Sequence, residues 1–361
     1  MKSRFLFFLI LFSCSSWKQK DFEKDLKKSS EVVKPSIVAN SDEKLLEKFE
    51  VLPAEVAKPS EEEALSKVNP KIEKTNLRKK ELVENEVSVQ KEKMANAKTH
   101  SASTPKEKVY PKDYPTHFLS INSKAKKVWD LYRPNHFEGQ KIFLDIHYLG
   151  MTVGKIMILN KGKKTINQKE VWHFHARFKS APFYSNIYEL DDTVDTYVTK
   201  DDFLSSRYSL IQRETKQDVD DLQLHDRDQL KTYWFYHQKK SNGDVKDKKI
   251  EKYIPYFSID PFSVLFFYQG LPLKNGDLYE IPLINKGKIL IFKSVVEGRE
   301  TIKTIKGNKK AIRIHATTNY SGATLKSGDL YFWFSDDNQR TLLKAQAKIK
   351  IGSVTADIVD K

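Results

Sequence analysis

The sequence predicts a mainly β protein: an antiparallel sheet curled into an open barrel around a hydrophobic helix, preceded by a disordered tether. Three observations carry this expectation. From His117 onward, aromatic and β-branched residues are dense and alternate with polar ones, the period of a half-buried strand. Turn signals recur through the same region at Asn242-Gly243-Asp244, Asn275-Gly276-Asp277, Gly307-Asn308, Ser327-Gly328-Asp329 and Asp336-Asp337-Asn338. One apolar run, residues 262–268, breaks the alternation behind an Asp260-Pro261 pair suited to a helix start.

In chain order, Lys2 and Arg4 precede an unbroken apolar run over residues 5–12. Such a run is too short to cross a bilayer as a helix, which takes about 20 residues. It suits the h-region of an export signal. Leu11-Phe12-Ser13-Cys14 resembles a bacterial lipobox, in which the cysteine is lipidated and becomes the mature N-terminus. Phe12 departs from the small or aliphatic residue usual at its position. Cys14 is the only cysteine in 361 residues, in keeping with an oxidising compartment that punishes a stray thiol. Residues 1–13 are therefore expected to be a lipoprotein signal peptide and Cys14 the lipid-attachment point. The alternative is an ordinary signal cut near residues 13–16, with the protein free in the periplasm. Ser15 after the cysteine, and not Asp, implies by the same resemblance the periplasmic face of the outer membrane.

Residues 14–116 are rich in Lys, Glu, Ser and Ala, with scattered prolines and few aromatics. Low hydrophobicity with mixed charge cannot offset chain entropy, so most of this tether is expected to be disordered. A coil of that length has a root-mean-square span of about 50–60 Å. Two short helices fit within it: Ser60-Glu61-Glu62-Glu63 reads as a capping box, and residues 41–49 carry Leu45, Leu46 and Phe49 at helical spacing.

Residues 117–361 form the β-rich domain, ample for one core. Strands are expected over 141–148 and 155–159, joined by a turn with Gly150 and Gly154. Others are expected over 171–178, 193–199, 230–237, 288–296, 311–317, 330–334 and 342–349. The helix after Asp260 is expected to run from Pro261 to Gly270.

Several of these pieces occur in an order that resembles a known family. They are Gly150 and Gly154, then Asp260-Pro261, then Gly276-Asp277-Leu278-Tyr279-Glu280-Ile281-Pro282. Val296-Glu297-Gly298-Arg299-Glu300 follows with Gly307, then Phe332-Trp333-Phe334-Ser335-Asp336-Asp337, Lys344 and Lys350-Ile351-Gly352-Ser353-Val354. Together they resemble the exported bacterial family catalogued as domain of unknown function 3108, over about residues 137–358. The resemblance implies an open, curled β-barrel similar to lipoprotein carriers and related periplasmic envelope proteins. It brings no established activity, since a fold hosts many functions.

Catalytic signals are weak. His173 and His175 would share one face of a strand and could approach a metal. Trp172, Phe174, Ala176 and Phe178 take the other face, which makes that face the core and puts the histidines toward solvent. No metal site or cofactor is expected. The pairs Asp191-Asp192, Asp201-Asp202, Asp220-Asp221 and Asp336-Asp337 read as turn or opposite-face residues, not acid/base couples. No serine lies in a Gly-x-Ser-x-Gly context and no Gly-rich phosphate loop follows a strand.

The chain carries a formal net charge of +15. Residues 1–116 hold 23 Lys and Arg against 19 Asp and Glu, so most of the excess falls on the β-rich domain. An exported protein meets anionic lipid, lipopolysaccharide and peptidoglycan, and these are the candidate partners beside the bilayer itself; nucleic acid is not. The favoured function is a tethered, non-enzymatic binding module that holds an amphipathic ligand or an envelope partner. Trp172, Phe174, Phe266 and Trp333 are candidate pocket residues, each also explicable as plain core. The alternatives are a scaffold linking the outer membrane to peptidoglycan or an envelope complex, and an unrecognised hydrolase. An internal cavity would favour the first.

Overall fold

Alternation in the sequence becomes one large antiparallel sheet in the computed structural model, which describes residues 42–54, 110–320, 329–349 and 351–359. Two short pieces come first, α1 (Glu43–Lys48) and β1 (Leu52–Pro53), and then α2 (Thr116–Trp129). A meander follows: β2 (Lys141–Tyr148), β3 (Met151–Ile166), β4 (Lys169–Ser180), the single turn α3 (Pro182–Ser185), β5 (Asp191–Thr199), β6 (Ser205–Glu214), β7 (Gln217–Asp226), β8 (Lys231–Lys240) and β9 (Val245–Tyr253). The chain then crosses the interior as α4 (Val264–Phe267), which tightens into a 3-10 turn, Tyr268–Gly270. A second meander completes the sheet: β10 (Leu278–Asn285), β11 (Lys288–Thr304), β12 (Gly307–Tyr320), β13 (Leu330–Ser335), β14 (Leu342–Lys348) and β15 (Ser353–Ile358).

The last strand, β15, pairs with the first of the meander, β2, so the two halves join into one path from β10 through β15 and β2 to β9. Strands β9 and β10 are the two edges, and the sheet is an open barrel. Its edges are fastened by other means. Ile259 makes an isolated parallel bridge to Leu283, and the β10–β11 turn meets β7, where Lys286 N–H donates to Gln223 Oε1 at 2.8 Å. The expected fold class is present, curled around the apolar segment as the sequence indicates.

That segment is held by one carboxylate. Asp260 Oδ1 accepts from the N–H groups of Phe262 and Ser263, as an N-cap does. Its Oδ2 accepts from the hydroxyls of Thr196 on β5, Ser205 on β6 and Ser263. A fully buried Asp with five donors has its charge satisfied in place. Pro261 supplies a fixed φ at a position where no N–H is needed. Only residues 264–267 are α-helical, shorter than the expected span, because residues 261–263 are spent on the Asp260 turn and the chain must re-emerge by Leu271.

In an up-and-down sheet, connections alternate between the two ends. α2 covers the end that carries the β3–β4, β5–β6 and β7–β8 turns. Its Val128 and Trp129 enter the main core, Trp129 Nε1 donates to the Asp202 carbonyl at 2.9 Å, and Asn122 Oδ1 accepts from Tyr256 N–H. The opposite end carries the β2–β3, β4–β5 and β14–β15 connections.

Besides the two-residue β1, five strands, β6, β7, β9, β10 and β15, were not expected from the alternation. β7 shows why. Its Leu222 and Leu224 lie on the outer face of the barrel, while Asp221, Gln223 and His225 point inward. The outer leucines are covered by residues 42–54, which pack there as a strap. Phe49 is buried among Ile166, Val171, Tyr197, Leu222, Leu224 and Phe235, and β1 pairs with β3. Lys48 reaches Asp226 at 2.7 Å, Lys249 reaches Asp42 at 2.6 Å, and Arg207 donates to the Phe49 carbonyl at 3.0 Å. The helix expected over residues 41–49 is α1, and this stretch of the tether is folded. The signal segment, Cys14 and the Ser60–Glu63 box lie outside the described residues.

Candidate functional site

Inward-facing side chains do not fill the barrel. Between the sheet and α4 lies an apolar cavity of about 270 Å³. Its sheet wall includes Leu144, Ile156 and Ile158 from the β2–β3 hairpin, Phe178 and Val194 from β4 and β5, and Leu290, Phe292, Leu330 and Phe332 from β11 and β13. Pro261, Phe262, Val264 and Leu265 form the opposite wall. Phe178, Phe262, Leu265, Leu330, Phe332 and Ala345 keep partial solvent exposure, whereas Leu144, Ile156, Ile158, Leu290 and Leu342 are buried. Phe178 and Leu330 stand near the ends of their strands away from α2, and there the cavity meets solvent.

Tyr208 is the one lining residue with a polar side-chain atom. Burial raises its phenol well above the ordinary value, so it stays neutral. An apolar void of about 150 Å³ is enough to stay dry and bind benzene; this one is larger.

A polar group stands beside two of its lining residues, Phe178 and Val194. Asp192 pairs across the sheet with Phe178, so both point inward. Its carboxylate accepts from Gln212 Nε2 and Arg213 N–H, each at 3.1 Å. Burial, with Glu214 adding repulsion, pushes its pKa up to about 7, against the pull of the Gln212 bond. Glu214 in turn accepts from Tyr188 O–H at 2.6 Å. The neighbouring Asp191 faces outward and holds Arg177 at 2.6 and 2.7 Å. The opposite-face parity of the pair was legible in the sequence; that one member would be buried beside the cavity's lining residues was not.

None of the four aromatic candidates lines this cavity. Phe174 and Phe266 lie in the packed centre, stacked on each other. Trp172 is also in the main core, edge-on to His136 at 5.7 Å. Trp333 is on the outer face: its cross-strand partners are Arg313 and Lys344, and Nε1 donates to Glu300 Oε1 at 2.5 Å. The parity of β13 decides this, since Phe332 and Phe334 take the inward positions. The lining residues Phe178, Phe262 and Phe332 carry the same sequence signal as Trp172, Phe174 and Phe266, an aromatic at an inward position. Only tertiary packing separates them.

His173 and His175 take the outer face of β4, opposite the core, as the pattern requires. They are not solvated: His175 has no exposed surface. His173 Nε2 and His175 Nδ1 both bond Asp195 Oδ1, at 2.6 and 2.8 Å, and His173 stacks on Tyr197, which packs under the strap. Burial lowers the His173 pKa despite the carboxylate. Burial alone would raise Asp195, but the two imidazoles outweigh it and hold its pKa well below the usual range. Among the described residues no group of three or more His, Cys, Asp or Glu side chains is placed to hold a metal ion.

A family model described as "Protein of unknown function (DUF3108)" matches residues 144–359. No curated protein matches the chain. Among solved structures, the chain aligns with a β-barrel-like protein of the domain of unknown function DUF1849 from Brucella abortus, at 10% identity and a TM-score of 0.40, over 61% of this chain and 95% of that one. A candidate lipoprotein from Parabacteroides distasonis aligns at 10% identity and a TM-score of 0.29, over 62% and 95%. A candidate exported protein with a YmcC-like fold from Bacteroides fragilis aligns at 11% identity and a TM-score of 0.29, over 63% and 97%.

Proposed function

We propose that this chain, which belongs to the DUF3108 family, is a non-enzymatic binding module of the bacterial envelope that holds the apolar part of an amphipathic molecule in its barrel. The single observation behind this reading is the cavity. A void of about 270 Å³ walled by aliphatic and aromatic side chains forfeits packing that a filled core would keep, and it persists beside a tightly stacked centre. It holds about nine liquid-water volumes, the room of a hydrocarbon segment of about eight to ten carbons. Asp192 and Gln212 beside Phe178 supply a polar contact for the other part of the ligand.

The test is saturable binding of a fluorescent acyl probe, 11-dansylaminoundecanoic acid, to the full chain. Phe placed at Ala345 or Ala356 would fill the cavity, and Ala345→Phe and Ala356→Phe should each weaken the probe at least about tenfold, a loss of one buried acyl segment's worth of contact. An absence of saturable binding, or affinity indifferent to both substitutions, would move the weight to the scaffold reading.

The same proposal puts the module at the periplasmic face of the outer membrane, anchored through Cys14. Cys14→Ser should release the protein from the membrane fraction, and undiminished retention would remove the lipid anchor from the account.

A further inference from the structure

We propose that the end of the barrel opposite α2 docks on a lipid bilayer, with its turns inserted among the acyl chains around the cavity mouth. This builds on the binding reading above and names the surface from which the ligand would enter.

Four large apolar side chains stand exposed on neighbouring connections of this end, Leu149 at 54%, Phe183 at 44%, Ile187 at 61% and Ile351 at 70%, and a fifth, Val245 at 56%, opens β9 away from them. Of the four, Leu149 lies in the β2–β3 turn, Ile351 in the β14–β15 turn, Phe183 in α3 and Ile187 just after it. Strands β15, β2, β3 and β4 are consecutive neighbours, so these connections are adjacent. A Cβ built on Gly352 would stand 3.5 Å from the Leu149 side chain. Tyr148 O–H donates to the Ile351 carbonyl at 3.2 Å, and Ala181 N–H donates to the Val153 carbonyl at 3.0 Å. The fully buried Tyr184 fixes α3 from below.

Leu149 is the most telling of the four. Its φ is +49°, a conformation that favours Gly, Asn or Asp, and half its surface is in water. Unlike Leu230 and Leu273, which also take positive φ but are fully buried, Leu149 gains only a contact with the Gly352 turn, and its exposed half is free to serve something outside the fold. The apolar groups are separate tips, not a flat patch, which suits a deformable partner such as a membrane interface. Lys179, Lys216 and Lys348 stand behind them with Glu189 and Asp329 interspersed, so the charge is mixed and apolar insertion carries the contact. Phe178 and Leu330, at the cavity mouth, belong to the same end. An acyl chain could pass from bilayer to cavity without crossing water.

A rival surface lies at the other end. The β11–β12 hairpin presents Lys303, Lys306, Lys309 and Lys310 around an Ile305 that is 68% exposed. Contact through that finger would be electrostatic and weakened by salt.

The two surfaces separate in one experiment on the full chain carrying Cys14→Ser, with an NBD fluorophore attached to Ile351→Cys or to Ile305→Cys. On adding phosphatidylcholine vesicles, the label at position 351 should shift to the blue and brighten several-fold, insensitive to added salt, while the label at 305 stays unchanged. Brightening at 305 alone, or at neither position, would overturn the docking rim. If the dansyl probe still binds in solution while position 351 stays dark, the rim fails and the cavity stands. If position 351 inserts while the probe finds no site, the rim stands and the ligand reading fails.

Discussion

Phe266 lies face to face on Phe174, with ring centroids 3.7 Å apart and planes 12° from parallel. This pair divides the barrel interior. On one side, Trp129, Tyr132, Phe203 and Phe267 close the packing under α2 through successive ring contacts. On the other, Phe262 and Leu265 of the same segment face the cavity.

Removing that divider should be costly. Phe266→Ala is expected to destabilise the fold by about 3–5 kcal/mol, read as a lower midpoint in urea. Trp333→Ala, on the outer face, should leave affinity for the dansyl probe unchanged. A large loss of probe binding in the Trp333 variant would place the ligand elsewhere.

Asp260 should tolerate nothing. Asp260→Ala strands three hydroxyls and two N–H groups without their acceptor, and each buried orphan costs about 1–3 kcal/mol. The expected outcome is a chain that fails to fold or melts far below the parent. Asp260→Asn should also be destabilised, though less, because its Oδ1 can keep both N–H donors while its Nδ2 replaces the one oxygen that accepts from three hydroxyls. Near-parent thermal stability of either variant would refute the assignment.

Asp192 makes stability depend on pH. Its folded pKa, about 7, lies above the ordinary carboxylate value, so the folded state holds the proton longer than the unfolded chain. Its contribution is fully present below about pH 4 and is lost as pH rises through about 7. In Asp192→Asn this slope should vanish, leaving the variant more stable than the parent near pH 8 by about 1–3 kcal/mol. Denaturant titrations at pH 5 and pH 8 measure it; an identical pH dependence in parent and variant would count against a buried, protonated Asp192.

The strap should detach independently of the barrel. Phe49 is its only fully buried apolar residue, so Phe49→Ala loses about 3 kcal/mol of local packing. Limited proteolysis should then cut within residues 42–54 much faster, while strands β2 to β12 stay resistant and the main thermal transition is nearly unmoved. Cooperative loss of the whole fold would show that the strap is integral to it.

Much of this was legible in advance, and the exceptions share a cause. β2 is found where its alternation puts it, and Asp260-Pro261 does begin the interior segment. The Trp172–Phe178 parity identifies the core face of β4. The sequence missed β7 because its leucines face outward under Phe49 while Asp221, Gln223 and His225 face in, an inversion that is sensible only once the strap is present. His173 and His175 were expected to be solvated because their faces could be read, but not what lies over them.

What the sequence by itself determined is the periodic part: mainly β, many turns, one apolar segment inside and a charged, Pro-punctuated N-terminal region. Period-two alternation and turn chemistry are local, set by sterics and backbone hydrogen bonding within a few residues. Only the tertiary structure decided which inward aromatics stack and which line a void. That difference between Phe266 and Phe262 comes from how closely two distant surfaces approach, and no short stretch of chain encodes that distance.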